Sequence, residues 1–314
     1  MTAPLRIIYM GTPDFSVPAL ERLNAENDTK ICLVVTQPDR PKGRGKKLSF
    51  SAVKTAAVRL GLDVFQPEKI NTRESIERLS ALRPDFLVVA AYGQILPERI
   101  LTLPAFYPVN IHASLLPRYR GASPIQAAIA NMDKETGVTT MAMAKKMDSG
   151  DIFQSSATAI DPEETAAQLH DRLAAMGADL IMETLRAIRD ENCRPTPQDH
   201  GRATYVSLLK KSDGRIQWNR EARAVKAHIN AMTPWPGAFS SHAGQPFKIF
   251  SAGTDSNGVP HPPGTIFCCD SQGIHVACRD SVLVIKSLMG KSGKRLTAQD
   301  YLRGHRLNPP VLLE

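Results

Sequence analysis

The chain has few cysteines, and none in a cross-linking or metal-ligating pattern. Its five, Cys32, Cys193, Cys268, Cys269 and Cys278, are odd in number and lack C-x-x-C spacing, so neither a disulfide framework nor a metal site is expected. Buried free thiols in a reducing compartment fit better. Long apolar runs are also missing: Ile7-Ile8-Tyr9-Met10 near the N-terminus is too short for a signal h-region or a membrane span. A cytoplasmic protein is expected. No H-E-x-x-H, G-x-S-x-G or G-x-x-x-x-G-K-[ST] occurs, and Gly290-Lys291-Ser292-Gly293-Lys294 has the wrong spacing for a phosphate loop. Gly11-Thr12-Pro13-Asp14-Phe15-Ser16 stands where a dinucleotide fold would carry G-x-G-x-x-G. Without the second and third glycines, NAD is not expected as a cofactor.

What is present suits two domains, since 314 residues exceed one average domain. Arg6 to Met10, Ile31 to Thr36, Asp63 to Phe65 and Asp85 to Ala91 read as strands, the last apolar throughout, with helical patterns at Val17 to Asn24 and at about 51–60 and 73–82. Alternating helices and unalternating apolar strands predict a Rossmann-like, doubly wound, mainly parallel sheet covered on both faces. Further strands are expected at Val138 to Ala144 and Ile152 to Ile160, then a helix opened by Pro162-Glu163-Glu164 and running to about Ile188. We expect a catalytic domain over residues 1–189, a polar linker over 190–204, and a second domain over 205–314. There, a helix near 220–232 and short strands near 246–251, 264–268, 273–278 and 281–286 suggest a small OB-like β-barrel.

The formal charge of +8 is unevenly spread. Residues 1–204 hold 25 Lys and Arg against 24 Asp and Glu, whereas residues 205–314 hold 14 against 7. A basic module beside a nearly neutral one suggests a polyanionic partner, although solubility alone accounts for some such fields. Gln37 to Lys47 adds five cations, one acid and four Pro or Gly residues in eleven positions. That composition predicts an exposed, mobile loop, and Arg40, Lys42, Arg44, Lys46 and Lys47 become phosphate-backbone contacts if a nucleic acid crosses that edge of the sheet.

The chemistry concentrates in Asn110-Ile111-His112-Ala113-Ser114-Leu115-Leu116-Pro117-Arg118-Tyr119-Arg120-Gly121 and Asp148-Ser149-Gly150-Asp151. Asn110 and His112, two residues apart on an extended segment, leave the same face. An Asn and a His at a strand end are often only satisfied polar residues. Here an apolar turn and two arginines follow at once, which resembles a ligand site more than a surface loop. Tyr92-Gly93-Gln94-Ile95-Leu96-Pro97 leaves the fourth strand toward the same crevice, because ligands in open α/β sheets bind at the strands' carboxyl ends.

Gly11-Thr12-Pro13-Asp14-Phe15-Ser16, Asn110-Ile111-His112, the run from Ser114 through Gly121-Ala122-Ser123-Pro124-Ile125-Gln126, and Asp148-Ser149-Gly150-Asp151, with Glu135-Thr136-Gly137-Val138-Thr139, Pro234-Trp235-Pro236-Gly237-Ala238 and Leu296-Thr297-Ala298-Gln299-Asp300, resemble the methionyl-tRNA formyltransferase family over nearly the whole chain. The N-x-H followed by S-L-L-P marks the wider 10-formyltetrahydrofolate-dependent superfamily. Ala113 departs mildly, standing where glycine or proline is frequent. The resemblance implies formyl transfer from 10-formyltetrahydrofolate to the amino group of methionyl-initiator tRNA. By matching motifs it makes Asn110, His112 and Asp148 the catalytic trio. The folate is then expected beside Ser114, Leu115, Leu116 and Pro117, and beside Tyr92, Gly93, Ile95 and Leu96, with no metal and a monomeric enzyme. Two other readings stay open. A formyltransferase for a small-molecule amine has no use for the basic loop, and a non-catalytic RNA-binding protein has no need of the trio.

Overall fold

The computed structural model describes residues 3–42, 47–242, 244–256, 258, 261–290, 293–305 and 307–314; of the Lys42 and Lys47 side chains nothing is described. The chain forms two compact units. One holds Met1–Gly121, Thr136–Thr158 and His170–Val206; the other holds Ala122–Glu135, Ala159–Leu169 and Ser207–Glu314.

The first unit is built on a seven-stranded sheet. Its strands in chain order are β1 (Leu5–Gly11), β2 (Thr29–Val35), β3 (Val64–Phe65), β4 (Phe86–Ala90), β5 (Tyr107–His112), β6 (Glu135–Ala142) and β7 (Ile152–Ala159), in spatial order β7-β6-β5-β4-β1-β2-β3. Pairing is parallel from β3 to β5 and turns antiparallel at β5–β6. β4 is buried at every position, as its unbroken apolar run predicts for a central strand covered on both faces. On one face, Ile8, Met10, Leu87, Val89, Ile70, Leu79 and Ile100 form a closed core.

The carboxyl ends of three strands are laced together by one threonine. Thr12 Oγ1 donates to the Tyr92 carbonyl at 2.7 Å and accepts from the Gln37 amide at 3.4 Å, so the segments following β1, β4 and β2 converge. Gly11 lets the turn close this tightly, since a Cβ there would lie 2.7 Å from Ser16 Cβ. Ser16 Oγ then donates to the Ala90 carbonyl at 2.6 Å.

Three sequence expectations need correction. The segment expected to be a mobile loop contains an antiparallel ribbon, Arg40–Lys42 with Lys47–Ser49, because extended residues flank its glycines. The long helix begins at Ala166, not Pro162. Asp161 closes a turn by accepting from the Glu163 amide, and Thr165 and Gln168 make the reciprocal capping box that starts the helix. The expected linker is packed into the first unit: Thr196 exchanges both backbone bonds with Ile152 at 2.8 Å, and the Thr204 carbonyl accepts from Arg120.

Among its described residues the second unit carries seven antiparallel strands: β8 (Ala238–His242), β9 (Gln245–Asp255), β10 (Thr265–Cys269), β11 (Ile274–Ala277), β12 (Val282–Met289), β13 (Arg295–Thr297) and β14 (Val311–Leu312). The path runs β8-β9-β12-β11-β10-β14, with β13 on β12. Ser241 on β8 and Glu314 just beyond β14 exchange backbone bonds of 3.2 and 2.9 Å, which joins the two ends into an OB-like barrel. Cys268, Asp270 and His275 bring donor atoms within 4.8 Å of one another. Asp270 already accepts from two turn amides and the His275 ring, so it closes the β10–β11 hairpin.

Candidate active site

β5 delivers Asn110 and His112 to the carboxyl edge of the sheet. In register, Asn110 pairs with Met141 and His112 with Thr139 on β6, so both side chains leave one face, as the spacing predicts. Both are buried, at 8% and 6% exposure. Among the described residues the Asn110 amide has no hydrogen-bond partner, which leaves its N–H group available to a ligand.

His112 is held from one side. Its Nε2 lies 2.9 Å from the Tyr119 carbonyl and its Nδ1 lies 3.8 Å from Asp148 Oδ2. A carbonyl can only accept, so Nε2 carries the proton and Nδ1 is the nitrogen turned toward the carboxylate. At 3.8 Å that approach is electrostatic, not a hydrogen bond. Asp148 Oδ2 accepts at 2.7 Å from the Gly121 amide. Three of the six non-glycine residues in the left-handed region among those described are Ala91, Tyr119 and Asp148. Such strain persists where surrounding structure fixes it, commonly at functional sites.

The turn after β5 is pinned by Thr139, whose Oγ1 donates to the Ser114 carbonyl at 2.7 Å and accepts from the Leu116 amide at 3.2 Å. The Leu116–Pro117 peptide is cis. Ser114 Oγ is spent on the Arg118 carbonyl at 2.6 Å. Leu115 and Pro117 are half-buried and remain reachable, whereas Leu116 is buried. The expected second wall divides. Gly93 is exposed and Ile95 is 86% exposed, but Tyr92 and Leu96 sit in the core with Ile8, Met10 and Ile100. Burial pushes the Tyr92 phenol up to about 12.

Two residues absent from the expected site stand behind it. Arg120 is 2% exposed, has no carboxylate partner among the described residues, and donates to Gln198 Oε1 (3.1 and 2.7 Å), Tyr205 Oη (2.9 Å) and His200 Nδ1 (2.9 Å). Gln198 Nε2 donates to the carbonyls of Asp148 (3.0 Å) and Gly150 (2.6 Å). Arg120 stands inside the motif yet reads as a surface cation. Gln198 is fifty positions from Asp148, in a polar stretch with no periodicity, so no local signal marks it.

Of the cations expected to meet a polyanion, Arg40 is exposed and paired with Glu68 at 3.1 Å. Arg44 and Lys46 lie outside the described residues; Lys42 and Lys47 occupy the ribbon's strands. Behind the ribbon, Lys54 is ion-paired with Asp39 at 2.5 Å and lies 3.9 Å above the Phe50 ring. That pair holds the Asp39 carboxyl below the usual carboxylate range.

Residues 5–185 match the family model "Formyl transferase" and residues 208–306 match "Formyl transferase, C-terminal domain". Among curated proteins, the methionyl-tRNA formyltransferase of Citrifermentans bemidjiense is 45% identical over 98% of this chain and 96% of its own. That of Hydrogenovibrio crunogenus is 41% identical over 99% and 100%. Among solved structures, an N-formyltransferase from Helicobacter canadensis, in complex with folinic acid and dTDP-3-aminofucose, superposes with a TM-score of 0.64 at 17% identity, covering 90% of this chain and 98% of that one. HypX from Aquifex aeolicus in complex with tetrahydrofolic acid gives 0.62 at 16%, covering 96% and 47%. At such identities the likeness is one of fold.

Proposed function

The chain belongs to the formyl transferase family, and we propose that it transfers the formyl group of 10-formyltetrahydrofolate to the α-amino group of methionine on initiator tRNA. Full-length identity to methionyl-tRNA formyltransferases supports the overall activity. The observation that carries the assignment of the site is the approach of His112 to Asp148 beside the uncommitted Asn110 amide, at the carboxyl edge of the sheet.

The donor set fits this co-substrate. When bound, 10-formyltetrahydrofolate supplies an activated formyl carbon on a nitrogen leaving group. Leu115, Pro117, Gly93 and Ile95, the reachable members of the expected set, offer apolar surface to border its ring system. Attack by an amine develops negative charge on the formyl oxygen and positive charge on the incoming nitrogen. Asn110 donates its amide N–H to that oxygen. His112 turns Nδ1 toward Asp148, whose carboxylate faces the positive charge that forms when Nδ1 takes a proton. The acceptor amine, with a reference value of about 7.7–8.0, is already about half neutral or more near pH 8, so no strong base is needed to prepare it. Asp148 and His112 take the proton shed by the attacking nitrogen and return one to the leaving nitrogen.

The ribbon around Arg40 and the basic 205–314 segment account for an acceptor carried on RNA rather than a free amine. We further propose a cytoplasmic monomer; sedimentation at micromolar concentration checks its mass, and a stable dimer would refute that part. Incubation with 10-formyltetrahydrofolate and charged initiator or elongator tRNA, following N-formylmethionine, tests the whole. Product mainly with the initiator is expected; formylation of a small amine but of neither tRNA would overturn the reading.

A further inference from the structure

Asp148 is the member of the centre least held by regular structure. It stands on a turn in the left-handed region, at φ 48°. One buried side-chain amide ties the backbone of that turn at two carbonyls. Gln198 is 6% exposed, and its two ends face opposite demands. Oε1 receives two donors from Arg120, while Nε2 gives its protons to the carbonyls of Asp148 and Gly150. A guanidinium only donates and a carbonyl only accepts, so the amide has one possible orientation. The Arg120 segment then grips the turn twice. Its guanidinium holds the backbone through Gln198, and the next amide, Gly121, holds the Asp148 carboxylate itself.

The turn has little room to settle elsewhere, because the Gly150 α-carbon is packed so closely on the Ala142 carbonyl that a Cβ would lie 1.7 Å from it. Arg120 is in turn aimed by Tyr205, His200 and the parallel bridge between Arg120–Gly121 and Tyr205–Val206. We propose that Gln198, locked in orientation by Arg120, is a positioning residue for formyl transfer: it sets the Asp148 turn so that the carboxylate stays opposite His112 Nδ1. This rests on the assignment of Asp148 to the reaction.

Gln198→Glu tests it with almost no change of shape. A glutamate keeps its bond to Arg120 and makes an ion pair of it, but turns a carboxylate oxygen toward two carbonyls that needed a donor. We expect kcat to fall about 10- to 100-fold, by analogy with the loss seen when a residue that orients a metal ligand from the outer shell is replaced. KM for tRNA and for 10-formyltetrahydrofolate should stay within about twofold, since neither binding surface is touched. In an Asp148→Asn background the same substitution should cost less than about twofold more, because its effect passes through the carboxylate already removed. A full multiplicative loss in both backgrounds would make Gln198 a general structural tie and overturn the proposal, as would wild-type kcat in Gln198→Glu. If the glutamate variant does not fold, Gln198→Met, similar in volume and without a donor, is read the same way. Full turnover in Asp148→Asn would remove the site assignment and this proposal together. Wild-type turnover in Gln198→Glu beside a crippled Asp148→Asn removes this proposal alone.

Discussion

His112 Nε2 lies 2.9 Å from the backbone carbonyl of Tyr119, a residue only seven positions along the chain. That bond decides which nitrogen faces Asp148. It commits the proton to Nε2 in the neutral ring, and so leaves Nδ1 as the basic nitrogen facing Asp148. The carbonyl is aimed by Tyr119's left-handed backbone and by its amide, which donates to Thr204 Oγ1 at 2.8 Å.

The neutral form of His112 should therefore be the Nε2–H tautomer. Long-range proton–nitrogen correlation spectra above the ring's titration report this directly. An Nδ1–H tautomer would reverse the roles given to the two nitrogens.

If the proposed trio is right, Asn110→Ala, His112→Ala and Asp148→Asn should each lower turnover by about a hundredfold or more, with tRNA affinity nearly unchanged, because each would remove a group acting on charge that develops in the transition state. Single-turnover formylation beside filter binding separates the two effects. Wild-type turnover in Asp148→Asn would sink its assignment.

Strands β1, β2 and β4 and the shared face of Asn110 and His112 were legible because both follow from periodicity: apolar runs mark the strands, and a two-residue spacing on an extended segment fixes a shared face. Tyr92 and Leu96, expected on the crevice wall, turn their side chains into the core, because a loop sequence does not say which side chains turn back. Gln198 was illegible for a different reason. Its role exists only through bonds to Arg120, Asp148 and Gly150, which lie far away in sequence. A buried arginine without an acid reads in one dimension as any surface cation.

Replacing Arg40, Lys42, Arg44, Lys46 and Lys47 together by Gln should flatten the dependence of log affinity for tRNA on log salt, by up to about 0.9 for each phosphate that is no longer neutralised. Turnover at saturating tRNA should change much less. An unchanged slope would remove the ribbon from the tRNA interface and leave that task to the basic residues after 205.

Gly150→Ala should damage stability and catalysis together. The added carbon would meet the Ala142 carbonyl at 1.7 Å, so the turn bearing Asp148 must shift. Overpacking of this kind costs roughly 1–3 kcal/mol. Denaturant melts and kcat measured on the same sample check it; an alanine variant with both values intact would mean that the turn is free to move.

In the second unit, His228 should make stability depend on pH. Burial lowers its pKa, with a backbone bond to Gly214 opposing, nearby Arg220 reinforcing and Asp213 opposing. Its buried Nε2 has no hydrogen-bond partner among the described residues. The folded value is below the ordinary value of about 6.5, so on acidification the unfolded chain takes the proton first. The contribution of this residue is therefore complete above about pH 6.5 and is lost as pH falls from there toward the folded value. Urea melts at a series of pH values should show the wild type losing more stability across that window than His228→Gln. Parallel curves for the two proteins would mean that the ring is as easily charged in the folded unit as in the unfolded chain.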